Sequence, residues 1–417
     1  MPRTKTKGRT IQADLAGNRQ MACFADIAEN ITTRIDPAET DKDVYVGLEH
    51  LDPDSLHLRR WGHPSDVNGQ KLEFENGDII FGRRRAYQRK LAVAECNGIC
   101  SAHAMVLRAK PETVLPEFLP FFLQSDMFME RAIGISVGSL SPTINWKTLR
   151  VQEFPLPPKD EQRRIAEILW AADVVVEAWV KAHEAVVSLV NTLVDGFLAT
   201  GLSRRGGRPR EARAGELPNG WRRCKCEEVF SNPPRNGYSP KASSQGRGYP
   251  TLSIGAVRDG RVIPDGNLKY ADIPKAEMDR YRLCPGDLLV VRGNGNRGLT
   301  ARCGIVDIIP ENCFYPDLLI RITFDSAEIL PEFALLQWNS PRVHRRLLTR
   351  AKSTSGIWKV NGKDLRQHIL IVPPLDEQEH FLELVNGPIA RQRELEAAMV
   401  HVRILQKALL NTLMLGE

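Results

Sequence analysis

A chain of 417 residues, 42% of them hydrophobic, is long enough for two ordinary domains with real cores. No apolar run approaches a membrane span, and the start Met1-Pro2-Arg3-Thr4-Lys5-Thr6-Lys7 lacks the apolar stretch of a secretory signal, so a soluble cytoplasmic protein is expected. The net charge of +6, from 57 basic and 51 acidic residues, is compatible with nucleic acid as a partner but does not single it out.

Residues 1–21 read as a basic tail, and 22–156 as a first globular region of short strands and turns. After the strand that begins Gly77-Asp78-Ile79-Ile80 comes a basic tip with Arg83, Arg84, Arg85, Tyr87, Arg89 and Lys90. Arginine forks suit guanine edges and phosphates, which makes this tip a candidate DNA contact; a merely solvated face is the plainer alternative. Cys96, Cys100 and His103 could share a metal, but no second Cys pair stands at zinc-finger spacing, so reduced thiols and no metal are expected. Phe118–Ile133 reads as helix. The loop Ser136–Lys147 offers Ser141, Thr143, Asn145 and Lys147 beside Trp146 as a second polar, groove-binding surface.

Over 157–202, Pro157-Pro158 stops the preceding extended segment and Asp160 is the expected N-cap of a long helix. Leu169, Ala172, Val176, Trp179, His183, Val186, Val190, Leu193 and Phe197 recur at steps of three and four, a heptad seam. A helix from Asp160 to Thr200 would be roughly 60 Å long and would need a partner helix. Residues 203–220 form a basic Gly/Pro-rich linker, either a flexible connector or a phosphate contact.

The second region, 221–372, is again mixed α/β, so the fold class is α+β. Thr251–Val257 and the turn Arg258-Asp259-Gly260-Arg261 predict a hairpin, Asp287–Arg292 and Thr300–Ile309 two strands, and Pro331–Asn339 a helix. Gly293, Gly295 and Gly298 match the dinucleotide fingerprint, but a strand rather than a helix follows, so a hairpin loop is expected. Asn232-Pro233-Pro234 resembles the catalytic motif of adenine methyltransferases, yet Arg235 stands where an aromatic is needed. No Walker A, HExxH or GxSxG sequence is present, and no catalytic residue is assigned. The candidate DNA contacts here are Arg292, Asn294, Asn296 and Arg297, with Ser353, Thr354, Ser355 and Lys359 on a second loop. Residues 373–417 carry a looser apolar stripe of Val385, Ile389, Leu395, Met399, Val402, Leu409 and Leu413, with a kink or restart expected at Gly387-Pro388.

The chain repeats itself. Pro157-Pro158-Lys159-Asp160-Glu161-Gln162 returns as Pro373-Pro374-Leu375-Asp376-Glu377-Gln378, Leu115-Pro116-Glu117-Phe118 as Leu330-Pro331-Glu332-Phe333, and Gly77-Asp78 as Gly286-Asp287. Three landmarks in one order indicate tandem duplication. With Leu217-Pro218-Asn219-Gly220-Trp221 opening the second half, the pattern resembles the specificity subunit of type I restriction–modification systems over nearly the whole chain.

That resemblance implies two target-recognition domains in pseudo-twofold array, joined by an antiparallel two-helix coiled coil that sets the spacing of a split DNA target. It implies a non-catalytic subunit that directs adenine-N6 methylation and restriction by its partners: two methyltransferase subunits, with restriction/translocase subunits in the full complex. S-adenosylmethionine, ATP and Mg would then bind the partners and no cofactor this chain. Rival readings are an enzyme in its own right, a coiled-coil scaffold with protein-binding ends, and the specificity component of another methylation-based defence system. Methyl-donor binding would mark the enzyme, and the lack of salt-dependent DNA affinity the scaffold.

Overall fold

The computed structural model describes residues 19–53, 55–139, 141–201, 217–243, 246–354 and 356–415. Most of the expected basic tail, most of the 203–220 linker, and Ser355 lie outside the described residues. The chain divides into two units, one taking the residues up to Lys181 and those from Ala397, the other Ala182–Glu396. The division falls inside both long helices.

In the first unit a sheet orders Ala28–Ile31, Met105–Ala109, Ile79–Phe81 and Leu91–Val93, all antiparallel. Ile79-Ile80-Phe81 is buried throughout, as a strand covered on both faces must be. Alternation sends Ile79 and Phe81 into an aromatic core with Phe24, Phe122, Phe128 and Phe154, and Ile80 into a second core with Val46 and Phe74. A second sheet orders Arg34–Ile35, Lys71–Phe74, Gly98–Cys100 and Tyr45–Val46.

In the second unit Phe230–Asn236, Leu319–Phe324, Leu288–Val291 and Cys303–Ile305 repeat the four-strand order, extended by Arg261–Val262 and Val257–Arg258. Leu288 and Val290 face one core and Leu289 and Val291 another. The expected turn Arg258–Arg261 forms between the short strands Val257–Arg258 and Arg261–Val262, with Asp259 and Gly260 both at positive φ (48° and 76°), the backbone that a tight primed turn requires. The expected strand Thr251–Val257, however, is broken by a 3-10 turn at Ile254–Ala256. The Gly293–Gly298 stretch joins the antiparallel strands Leu288–Val291 and Cys303–Ile305 through a short 3-10 turn, so no helix follows the glycines.

The duplicated landmarks are buried polar joints. Gly77 and Gly286 share positive φ (91° and 89°), and each is followed by an aspartate that closes its turn. Asp78 accepts from Glu75 N (2.8 Å) and Asp287 from Cys284 N (2.9 Å). Arg108 and Arg321, on equivalent strands, meet these carboxylates at 2.7 and 3.5 Å.

Gln162 is fully buried. It accepts from Leu115 N (2.9 Å) and donates to Thr113 O (3.2 Å) and Pro157 O (2.9 Å). Gln378 repeats this with Leu330 N (2.9 Å), Glu328 O (3.1 Å) and Pro373 O (2.8 Å). The last residue of one sequence landmark thus ties itself to the first residue of the other.

A third joint escaped the sequence reading. The expected helix Phe118–Ile133 is two helices, Leu119–Gln124 and Asp126–Gly134, broken at buried Ser125, whose hydroxyl donates to Phe122 O and caps Phe128 N. Ser340 caps Val343 N between Pro331–Asn339 and Pro341–Leu348 in the same way.

The long helices run over Lys159–Thr200 and Leu375–Leu415. Asp160 is not the N-cap: the first helical bond runs from Gln162 N to Pro158 O, and Asp160 points to solvent beside Arg163. It still favours the helix start through the dipole, as Asp376 does in the repeat. Nor does the second helix restart at Gly387-Pro388, since Pro388 sits inside a continuous helix. A proline removes one bond, that to the carbonyl four residues back. Here that residue is Leu384, which is exposed, while Phe381, Val385 and Leu395 are buried and hold both sides of the gap.

The observed seam of the first helix follows Leu169, Asp173, Val176, Val180, Val190, Val194 and Phe197, so Ala172, Trp179, Val186 and Leu193 are only half-buried flanks. In the first unit Asp173 accepts from Gln406 (3.3 Å), and Leu169 shares its core with Leu410 and Met414. In the second unit His183 meets Glu396 (3.1 Å), and Phe197 stacks on Phe381 at 4.2 Å. Within each unit the helices therefore pair antiparallel.

A loop of the first unit clamps onto its helix. His57 lies 2.6 Å from nearly buried Asp173 and 2.9 Å from Glu95, while Arg59 pairs with Glu177. The Asp173 bond outweighs burial and, with Glu95, lifts the His57 pKa to about 9. A raised histidine contributes stability fully below its unfolded pKa and loses it as pH rises through the folded one. Stability should therefore fall between about pH 6.5 and 9. Thermal melts across that range should show a decline in the wild type that His57→Gln removes, worth about 1–2 kcal/mol after discounting for partial exposure. Parallel pH profiles would sink the assignment.

Candidate nucleic-acid interface

In each unit the two loops singled out by the sequence meet. In the first, Arg84 bridges Thr143, which also bridges Val137, and Arg85 N donates to Pro142 O (2.7 Å). In the second, Gly293–Asn294, Ile357–Lys359 and Lys352–Thr354 form a three-stranded sheet. A tip after the second core strand is thus laid beside a late hairpin, by backbone pairing rather than by side-chain similarity.

The first unit's residues then part company. Arg83 donates to Ala102 O (3.0 Å), Arg89 to Gln124 O (2.9 Å) and to Asp126, and Lys90 to Leu48 O (2.7 Å). Burial pushes the Lys90 ammonium down from its ordinary value. These three hold the tip together. Arg84, Arg85, Tyr87, Asn145 and Lys147 are exposed, with Ser141 and Thr143 half-buried beside them. Tyr87 is 54% exposed at the centre of the 3-10 turn Ala86–Gln88, between Arg85 and Arg89 at φ 57° and 51°. Two non-glycine residues in the left-handed region thus store strain on either side of an exposed tyrosine. Trp146 turns inward, edge-on to Phe24 at 5.7 Å.

His103, to which the sequence reading gave no DNA-binding role, joins the tip. Cys100 is buried in the core, its thiol pushed up to about 12 by burial, and among the described residues no group of three or more His, Cys, Asp or Glu could hold a metal ion. His103 instead accepts a hydrogen bond from Arg84 (3.2 Å). Partial burial and then the Arg84 and Arg83 charges hold its pKa below the usual histidine value, so it stays neutral and can accept.

In the second unit Arg292 is spoken for, donating to Asp317 O (3.1 Å) beside the Asp317 carboxylate. Asn294 accepts from Asn296 N (2.8 Å), and Asn296 accepts from Gly298 N (2.8 Å), two successive side-chain turns that fix the loop. Arg297 is exposed, its guanidinium 4.5 Å from the centre of the Trp358 ring. Ser353 and Lys359 are exposed on the hairpin, and Thr354 ends its first strand. A cleft of about 1200 Å³ on this unit, with Asn294 and Leu299 on its wall, is also lined by Asp259, Glu332, Glu379, Glu383 and Glu396. Arg258, Arg261, Arg302 and Arg393 line the same cleft, so its walls carry both signs of charge and it is no single-sign surface.

Two duplicated α/β units, each closed by a long helix and each presenting a basic loop face, define a tandem recognition protein. Residues 65–177 match the family model of the type I restriction modification DNA specificity domain. Over 333 residues the chain is 26% identical to the type I restriction enzyme EcoKI specificity subunit of Escherichia coli K12, covering 76% of this chain and 69% of that one. It is 22% identical over 323 residues to the StySPI specificity subunit of Salmonella potsdam, with the same coverage. The solved type I restriction–modification S subunit from M. genitalium covers 97% of both chains at 15% identity, with a TM-score of 0.47. Over 76% of its length the chain is thus similar to specificity subunits of type I restriction enzymes, and its residues 65–177 carry the match to their DNA specificity domain.

Proposed function

We propose that this chain is the DNA-reading subunit of a type I restriction–modification complex, each unit taking one half of a split target. The observation that carries this is the same three-segment face in both units, furnished with different side chains: Arg84, Arg85, Tyr87 and Lys147 in one, Arg297, Ser353 and Lys359 in the other. Like backbones with unlike side chains suit two different half-sites, and the paired helices would set their spacing.

In this reading the chain itself catalyses nothing. Two methyltransferase subunits supply adenine-N6 methylation, restriction/translocase subunits supply cleavage, and S-adenosylmethionine, ATP and Mg bind to those partners. The first unit's helices support such docking: Val174, Val175, Val400, Ile404 and Leu405 expose apolar side chains there. Among the described residues no helix is long and apolar enough to cross a membrane, so that face is no span.

The test is a genome-wide map of adenine-N6 methylation in host cells with and without the gene. Loss of methylation at one split motif is the expected result. Unchanged methylation, together with DNA affinity that ignores salt, would leave a protein scaffold instead.

A further inference from the structure

We infer that Arg297, stacked on Trp358, reads a guanine edge in the half-site of the second unit, and that Trp358 is the positioning residue that fixes it; this rests on the DNA-reading function proposed above.

Two observations converge. The guanidinium lies 4.5 Å from the centre of the indole ring. Stacking covers one face of an arginine and leaves its N–H edge free, the edge that pairs with guanine O6 and N7. Among the described residues Arg297 also has no carboxylate partner, unlike Arg292 with Asp317 and Arg321 with Asp287.

Both partners stand on fixed backbone. The Asn294 and Asn296 side-chain turns lock residues 294–298. Trp358 lies in the middle strand, between Asn294 on one side and Ser353 on the other. A free arginine loses much rotamer freedom when it binds, and an arginine already held by an aromatic plane loses less.

The experiment uses the full chain in its methyltransferase complex, with duplexes carrying the mapped target and a set with each base pair of the second half-site replaced. Arg297→Ala should weaken cognate binding by about 10- to 100-fold. It should also abolish discrimination at one G·C pair while leaving the other positions intact. Arg297→Lys keeps the charge and should still lose that discrimination. Trp358→Ala should cost about 10-fold at the same pair only, Trp358→Phe should restore most of it, and Arg297→Ala with Trp358→Ala should be no worse than Arg297→Ala alone.

Undiminished recognition of the first half-site serves as the folding control. Uniform loss across all bases with a shallower salt slope would mean a phosphate contact and overturn the inference, as would additive losses in the double variant. If the wild-type complex binds the target no better than unrelated DNA, the underlying function fails and the inference with it. If wild type discriminates and the variants match it, only the inference fails.

Discussion

Replacing Gln378 with alanine should destabilise the second unit by about 3 kcal/mol, a large effect for one polar side chain. The amide is buried and makes three hydrogen bonds, to Leu330 N, Glu328 O and Pro373 O. Truncation leaves all three backbone groups buried without that partner, and each costs about 1–3 kcal/mol if water cannot replace it. Gln162→Ala should do the same to the first unit through Leu115, Thr113 and Pro157. Gln→Glu is no rescue, because the carboxylate keeps the acceptor but gives up both donated bonds and buries a charge. Denaturant melts with amide exchange around Leu115 and Leu330 would check this, and a loss below about 0.5 kcal/mol at either site would refute the joint.

The second large effect is on binding. Arg84→Ala combined with Arg85→Ala should cut affinity for the cognate target by about 10- to 100-fold, since good base contacts are worth about 1–3 kcal/mol each. The loss should fall on the half-site of the first unit alone. Stability should hardly change: Arg84 and Arg85 are exposed and, among the described residues, make side-chain bonds only to His103 and Ser141. Methylation mapping in cells with the double variant gives the answer directly. Relaxation of one half of the motif is expected, and equal loss in both halves would count against independent reading. Arg292→Ala, by contrast, should act mainly through stability, because that side chain serves Asp317.

The contrast between Arg84 and Arg292 shows what the sequence can convey. Duplication made the fold legible because the residues that both halves kept are those with several buried bonds each: the Gly-Asp turns, the Gln joints and the Leu-Pro-Glu-Phe segments they grip. Ser125 and Ser340 belong to the same set but sit among unlike neighbours, so no motif announced them. The seam was misplaced at Asp173 because its partners, His57 and Gln406, are far away in sequence.

The loop faces were located but not sorted. A run such as Arg83-Arg84-Arg85 carries no sign of which guanidinium will find a carbonyl; Arg83 finds Ala102 O and Arg85 is left exposed. His103 was hidden because its partner is a loop 19 residues away, while Cys96 and Cys100 nearby suggested a different chemistry.

The matched glutamine joints have one more consequence. Because the chemistry at the root of each unit is the same, a segment bounded by the Leu-Pro-Glu-Phe and Pro-Pro-x-Asp-Glu-Gln landmarks would meet familiar bonds in either half. Exchange at these points would carry the loop that holds Thr143, or the 352–359 hairpin, without the Arg84 or Arg297 tip it lies beside, so half of a reading face would change on an unchanged root.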